Sequence, residues 1–570
     1  MKYSQLLTKT IKSSKKFDSI NATYLIKGGF IDQIMSGVYA FLPLGQKVLH
    51  KIETIIKEEM DVIGTELFLP SLSPKSFWEK TRRLESVDIL MQAGGANEMS
   101  RAKNDGEYIL NATHEDVITP IAMKFRESYK DFPFAVYQIQ TKYRNEERPK
   151  SGLLRCREFR MKDLYSFHTS QEDLNSYYEK AKDAYSKVFA RLGIGEDTVI
   201  ALASGGDFTK EYSHEFQTKC ETGEDTIFYD KKTKTAYNKE VTPSKAPIFM
   251  QKENKLRAIE NVKGEGIIGV AELSKFLKIP IEATTKTILF EDDRGGVVAA
   301  CVRGDYDVNE YKLKRVHKSK VLKLASEKTV KKVTGAQVGY AGPLNLPKDV
   351  KLYFDDSTQG RINFECGANK TNFHVINVNF GRDLKKPKEF VDIKTAKEGD
   401  CNPKSGEVYE VFKASEVGNI FPLNTKFTDA FGYKYIDNEG MKSDIYMGSY
   451  GIGSSRVMGV IVEKFHDDRG IIWPVQVAPF LAHLIVLGDE DGESLYKKLQ
   501  QSGIDVLFDD RTNVSAGEKF ADADLIGCPF RLVVSAKTKG KIEIKKRNEG
   551  DITLVSVQEA EDLLKRQVNV

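Results

Sequence analysis

At 570 residues, 40% of them hydrophobic and 10% aromatic, the chain is too long for one core and has the composition of a globular protein of about two to four domains. Its 86 Lys and Arg stand against 82 Asp and Glu, a formal charge of +4, so any nucleic-acid surface has to be a local basic patch. No run approaches the ~18 apolar residues of a membrane span. The basic start MKYSQLLTKTIKSSKK has no apolar stretch behind it, unlike a secretory signal. The six cysteines include no C-x2-C pair, which argues against structural zinc or iron–sulfur and for a reducing, cytoplasmic setting.

Residues 44–60 put Leu44, Val48, Ile52, Ile55, Ile56 and Met60 on one stripe and predict an amphipathic helix. TELFLP at 65–70 follows as a short strand closed by proline. Thr113-His114-Glu115-Asp116, ahead of an apolar run, reads as a capping box of Thr113 with Asp116. It reads equally as a carboxylate, Glu115, that pairs with a substrate ammonium beside the Thr113 hydroxyl. FAVYQIQTKYRNE (134–146) alternates, with Gln138, Gln140, Lys142 and Arg144 on one side. FRMKDLYSF (159–167) places Phe159, Met161, Asp163 and Tyr165 on one face. With the basic loop between them they predict an antiparallel hairpin with a functional tip. Ser170 is placed to cap the next helix, and SHEFQ (213–217) is a further short strand.

Between about 220 and 405 the character changes to lysine-rich turns and short alternating segments, among them TKTILFED (285–292), a helix at 271–279 and KLYFDD (351–356). Core-like sequence resumes at 407–427, so the middle reads as inserted into one catalytic unit. From about 476 onward strands and helices alternate tightly, in a small α/β domain with helices near 491–502 and 515–526.

Three segments carry candidate chemistry. Arg144-Asn145-Glu146 ends the first hairpin strand, and an arginine meets phosphate oxygens in paired charge-assisted hydrogen bonds that lysine cannot reproduce. Phe159 on the facing strand offers a ring on which a purine can stack. The plain alternative is a solvated hairpin. GSYGIGSSRVMGVIVEKF (448–465) is strand, glycine-rich turn and apolar helix with Arg456 in the first turn. That suits an anion or a merely structural turn, and it is a poor match to the dinucleotide fingerprint. The third segment is the Thr113–Asp116 string.

Taken in order, these strings resemble the class II aminoacyl-tRNA synthetases, and within them the bacterial-type prolyl enzymes. GVYAFLPLGQKVLHKIETIIKEEM with ELFLP is similar to motif 1, YQIQTKYRNEERPKSGLLRCREFRMKDLYSFH to motif 2, and MGSYGIGSSRVMGVIVEKFHDDRGIIWP to motif 3. ATHEDVIT resembles the proline-recognition loop and GGDFTKEYSHEF a further pocket strand, and the likeness covers nearly the entire chain. It implies an α+β core, a six-stranded antiparallel sheet flanked by helices, in two parts (1–220 and 406–475). An inserted α/β editing domain (221–405) and a C-terminal α/β anticodon-binding domain (476–570) complete it.

By the same resemblance Arg144 clamps the ATP α-phosphate, Glu146 reads the adenine, Phe159 stacks on it and Arg456 holds the γ-phosphate end. Thr113, Glu115 and Arg144 surround proline, with Ser213, His214, Glu215 and Phe216 nearby. In the insert, Lys286, the loop Gly339 to Pro343 and His374 are similar to the residues that remove mischarged alanine. The implied partners are ATP as substrate, Mg²⁺ with ligands the sequence does not assign, proline, tRNA(Pro), and a second copy docked through motif 1. The chain departs from the family pattern at Asn419, where histidine is common, at Ser449, where cysteine is common, and at Asp116, where glutamate is more frequent. The nearest alternatives are a seryl, threonyl or glycyl enzyme of the same class. A catalytically silent relative that binds RNA is the alternative of another class.

Overall fold

A computed structural model describes the chain apart from residues 13–16, 104–105, 207, 210, 250–254 and 569–570. Asp207 and Lys210 of the GGDFTKEYSHEF string therefore lie outside the described residues. The chain forms two compact units, one of residues 1–200, 205–225 and 413–570, the other of 201–204 and 226–412.

The first unit opens its core with helix α1 (Pro43–Met60), whose Pro43 sits in the first turn where a missing N–H costs nothing. Leu44, Val48, Ile52, Ile56 and Met60 are all buried along it. Strand β1 (Thr65–Glu66), helix α2 (Glu115–Phe125) and the hairpin β2 (Phe134–Tyr143) and β3 (Glu158–His168) follow. The hairpin is in unbroken antiparallel register from Phe134 opposite Phe167 to Tyr143 opposite Glu158. Ser170 caps helix α3 (Gln171–Arg191) by accepting from the Asp173 N–H at 3.1 Å, and β4 (Tyr212–Lys219) comes next.

The second unit contains β5 (Glu260–Lys263), β6 (Thr285–Asp292), β7 (Val297–Arg303), α4 (Glu310–His317), β8 (Leu322–Leu324), α5 (Glu327–Thr334), β9 (Lys351–Phe354), β10 (Phe364–Gly367) and β11 (Phe373–Val378). One sheet runs β8-β6-β7-β9 and a second runs β5-β11-β10. Alternation decides the two faces of the first. Phe290, Val298 and Ala300 pack with Leu313 of α4, whereas Leu289 and Ala299 pack with Val330 of α5.

Strand β12 (Glu410–Asn424), strand β13 (Tyr446–Ile452) and helix α6 (Ser454–Lys464) complete the core of the first unit. These strands run in the order β4-β12-β13-β3-β2-β1 within a sheet of nine strands, larger than the six expected. The expected sheet was wholly antiparallel, but β1 pairs parallel to β2, with Thr65 opposite Val136. A helix rather than a hairpin delivers the chain to that edge, so nothing forces reversal. Tyr137, Leu164, Ile420, Tyr450 and Ile452 turn one face of the sheet toward the buried residues of α1, α3 and α6. The residues between them in sequence, Ser449 and Gly451 among them, turn to the other face.

The C-terminal sheet of the same unit comprises β14 (Ala482–Val486), β15 (Val506–Asp509), β16 (Phe530–Val534), β17 (Ile542–Lys546) and β18 (Ile552–Val555), in the order β15-β14-β16-β17-β18. The first residues of the chain lie along it. The Phe508 N–H donates to the Met1 carbonyl at 2.9 Å, and the Ser4 hydroxyl donates to Asp510 at 2.5 Å. Among the described residues no helix is long and apolar enough to cross a membrane.

Candidate functional site

The two arginines singled out in the sequence reach one cleft on the open face of the first unit's sheet. Arg144 leaves the end of β2 and Arg456 stands in the first turn of α6. Both line a small cleft with Phe159, Met161, Glu416 and Asn419 over the glycine floor of Gly418, Gly451 and Gly453. The Arg144 guanidinium lies over the Phe159 ring, 5.0 Å from its centre. Its Nε is buried without a hydrogen-bond partner among the described residues, an orphaned donor of the kind a ligand anion satisfies. Burial, and then the charge of Arg456, hold its pKa below the usual value. Arg456 donates from Nη1 to the Glu416 carbonyl at 2.8 Å and lies 3.4 Å from its carboxylate, whose other oxygen accepts from Asn419 at 2.6 Å. A Cβ at position 451 would sit 2.2 Å from the Met161 methyl and 2.8 Å from the Asn419 amide oxygen, so a larger residue there would push those two side-chain ends off the floor.

Beside the cleft, Glu115 is 1% exposed at the start of α2. One of its oxygens accepts from the Thr113 hydroxyl and the other from Ser449 Oγ at 2.7 Å. Arg83 lies 3.6 Å from Glu115 and 2.5 Å from Asp116. Its guanidinium is packed over Trp78, Phe208 and Phe427 at 5.0, 4.8 and 5.3 Å. Burying charges is costly unless they are paired; here both carboxylates lie within ion-pair reach of Arg83, whose Nε has no hydrogen-bond partner among the described residues.

A second buried group stands on the same face. Lys142 contacts Asp163 at 2.6 Å and the Nδ1 of His114, while Asp163 also accepts from Gln138 at 3.0 Å and Tyr165 at 2.8 Å. Burial and then Lys142 lower the His114 pKa to about 4, so the ring is neutral near pH 7. Burial alone would raise the Asp163 pKa, but Lys142, His114 and Gln138 outweigh it and bring the group below its usual value. Arg83, Lys142, Asp163, His114 and Glu416 escape a reading of the sequence as site residues. Asp163 and Lys142 left a trace there by sharing a strand face with Phe159 and Arg144, and His114 by standing inside the Thr113–Asp116 string.

Other expected residues are placed differently. The capping box at Thr113 does not form: helix α2 begins at Glu115 with no side-chain cap, because Thr113 donates to Glu115 and Asp116 is taken by Arg83 and by Thr81 at 2.6 Å. His214 and Phe216 face α3, where the Tyr178 hydroxyl meets His214 Nδ1 at 2.9 Å and Phe216 packs on Tyr185 and Phe189. They belong to the helix-covered face and correct the expectation of a pocket role. Ser213 and Glu215 alternate to the other side, with Glu215 opposite Asn419. Glu146, two residues beyond Arg144, pairs with Arg155 at 2.7 Å and lies outside the lining of the cleft.

The second unit holds a pocket of its own, about 630 Å³, lined among others by Thr285, Lys286, Gly339, Ala341, Glu365, Gly367 and His374. Pro343 is not part of that lining. Lys286 donates to the Tyr306 carbonyl at 2.8 Å and to Asp307 at 2.6 Å. Gly339 has φ of +100°, and a Cβ there would meet Ile268 at 2.5 Å, so the loop requires glycine twice over. His374 is buried with Nδ1 3.1 Å from Glu365 and Nε2 3.0 Å from the Ile267 carbonyl. Both ring nitrogens face acceptors, which favours the imidazolium. Burial opposes that charge, but the hydrogen bond and charge of Glu365 raise the pKa of His374 above its ordinary value.

Residues 98–465 match the family model described as tRNA synthetase class II core domain (G, H, P, S and T), and residues 476–567 match the anticodon binding domain. A protein of Bacillus cytotoxicus (strain DSM 22905 / CIP 110041 / 391-98 / NVH 391-98) named "Proline--tRNA ligase" is 39% identical over 570 residues, 98% of each chain. Proteins of the same name from Bacillus cereus (strain B4264) and Bacillus mycoides (strain KBAB4) are 38% identical over 570 residues, again 98% of each chain. With an arginine-lined cleft on the open face of a largely antiparallel sheet and matches that span the core and the C-terminal domain, the chain belongs to the class II tRNA synthetases of the G, H, P, S and T group.

Proposed function

We propose that this chain is an ATP-dependent aminoacyl-tRNA ligase for proline, which makes prolyl-adenylate and passes the prolyl group to the 3′ end of tRNA(Pro). The observation that carries this reading is the convergence of Arg144 and Arg456 on one cleft that also holds Phe159. In the first step a proline carboxylate oxygen attacks the α-phosphorus of ATP and the bond to pyrophosphate breaks. Negative charge grows on the equatorial oxygens, and a guanidinium already fixed by a strand stabilises it with little reorganisation. A purine that stacks on Phe159 displaces the Arg144 guanidinium from the ring and turns its orphaned Nε–H toward the phosphate. Arg456 meets the far end of the triphosphate, and in-line geometry held from both ends supplies much of the remaining acceleration.

Glu115, fixed by Thr113 and Ser449, is the partner for the proline ammonium. Mg²⁺ suits the triphosphate, and one protein carboxylate with phosphate oxygens is enough to hold that ion. Glu416 is the carboxylate lining the cleft. When bound, the ion neutralises phosphate charge. In the second step a ribose hydroxyl of the tRNA attacks the acyl carbonyl and AMP leaves, which needs no protein nucleophile. The exposed side chains of Ile34, Met35, Val62 and Phe68, which flank α1 in the chain, support a homodimer through motif 1.

The pocket of the second unit is read as the site that hydrolyses alanyl-tRNA(Pro). Alanine is smaller than proline, and a missing methylene gives only ~10–200-fold discrimination, so a second site is useful. Lys286 and the Gly339 loop hold the tRNA end there, and His374, with both nitrogens engaged, fixes the pocket wall rather than acting as a base. The test is amino-acid-dependent ATP–pyrophosphate exchange over the twenty amino acids. Proline should give the strongest signal and alanine a weaker one. Exchange driven best by serine, threonine or glycine would move the enzyme within its class, and no ATP binding at all would leave only the catalytically silent alternative.

A further inference from the structure

The stretch from 312 to 332 carries nine Lys or Arg and a single acid, Glu327, in a chain whose totals are nearly balanced. The bias falls beside the pocket of the second unit. Helix α5 turns Val330 inward and Glu327 to the pocket, and leaves Lys328, Lys331 and Lys332 exposed along its outer face. Lys323 is exposed on the edge strand β8 that leads into the helix. Among the described residues none of these four lysines lies in an ion pair, and two acids of the neighbouring strand β6 are engaged elsewhere. Glu291 accepts from Ser326 at 3.2 Å, and Asp292 accepts from His317 at 3.0 Å and from turn amides.

The pocket mouth itself is apolar and open. Leu324, Ile268 and Val338 line it while remaining 64%, 58% and 51% exposed. A lysine on an edge strand guards against strand pairing, and lysines on a helix face are usually just solvated. Neither reading explains why the cations sit outside a collar of exposed aliphatic side chains. That arrangement fits a single-stranded nucleic-acid end, with bases against apolar surface and phosphates on cations.

We infer that Lys323, Lys328, Lys331 and Lys332 form the seat for the phosphates of a single-stranded RNA 3′ end, whose last base lies on the collar of Ile268, Leu324 and Val338. The inference rests on the reading of this pocket as a hydrolytic site for tRNA. Lysines three and four apart on one helix are neighbours, so α5 offers consecutive phosphates a row of cations. The contact is electrostatic and indifferent to sequence, and it ends where the ester enters the pocket.

The test uses the full chain and an RNA hairpin that reproduces the acceptor stem and 3′ end of tRNA(Pro), with and without esterified alanine. K328E/K331E/K332E should raise KM for hydrolysis at least tenfold with kcat nearly kept, and should flatten the slope of log affinity against log salt by about two. Proline-dependent pyrophosphate exchange should not change. A K328Q/K331Q/K332Q variant, which cannot repel RNA, should show the same trend more weakly and serves if the charge-reversed protein does not fold. Unchanged KM and salt slope in a folded variant overturn the lysine seat. Wild-type protein that binds the hairpin with this salt dependence but leaves the alanyl ester intact would end the hydrolytic reading and leave the RNA surface standing.

Discussion

Arg144 shows how much of a site is decided by one unsatisfied hydrogen. Its Nε–H is buried without a partner among the described residues and its guanidinium feels the charge of Arg456, which supports the anion-binding role proposed for it. Replacing Arg144 with alanine should lower proline-dependent pyrophosphate exchange by roughly 100-fold or more, since a desolvated charged clamp is worth ~3 kcal/mol. Exchange close to wild type would remove it from the mechanism. Its position at a strand end was legible in the sequence, because alternation and the run Arg-Asn-Glu marked the tip of a hairpin. Arg83 was not legible. Its partners Asp116, Trp78, Phe208 and Phe427 come from four separate stretches, and no local pattern announces a cation that three rings and two carboxylates enclose.

At the scale of elements, periodicity carried furthest where packing agrees with local preference. The stripe of α1, the paired alternation of β2 and β3, the Ser170 cap and the strand 285–292 all follow from which side chains must leave water. The helix after Thr113 also lies where the apolar run put it. Its expected cap failed because Thr113 and Asp116 answer to Glu115 and Arg83 rather than to the backbone, a contest that tertiary contacts win. Likewise, the string SHEF read as a pocket strand, yet a strand has two faces and only Ser213 and Glu215 turn away from α3.

The sheet β5-β11-β10 carries a prediction of its own. His374 bridges Glu365 on β10 and the carbonyl of Ile267. Because its folded pKa is raised, the contact contributes fully below the ordinary value of about 6.5 and is lost as pH rises through the higher folded value. Amide exchange in these strands, corrected for intrinsic rate, should therefore quicken as pH rises above the ordinary histidine value of about 6.5 and through the higher folded value. Glu365→Gln should show the quickened state already at the acid end. A pH-independent exchange pattern, the same in both proteins, would mean that the imidazole carries no charge there.

For the molecule as a whole, the second unit is almost one continuous segment, 226–412, with separate apolar clusters and a pocket lined by its own residues. Replacing that segment with a short linker should leave proline-dependent exchange measurable while hydrolysis of alanyl-tRNA(Pro) disappears. Hydrolysis that survives in the shortened protein would place the second activity elsewhere.

A self-contained insert also has a bearing on how such a protein fails. The clusters around Phe290 and Phe364 are closed within the segment, so a substitution that loosens them spends its effect there. On the reading proposed, damage of that kind would leave the speed of charging untouched and degrade only its accuracy. A culture would then grow normally until alanine became abundant relative to proline, and the lesion would surface as mistranslated proteins rather than as slow synthesis.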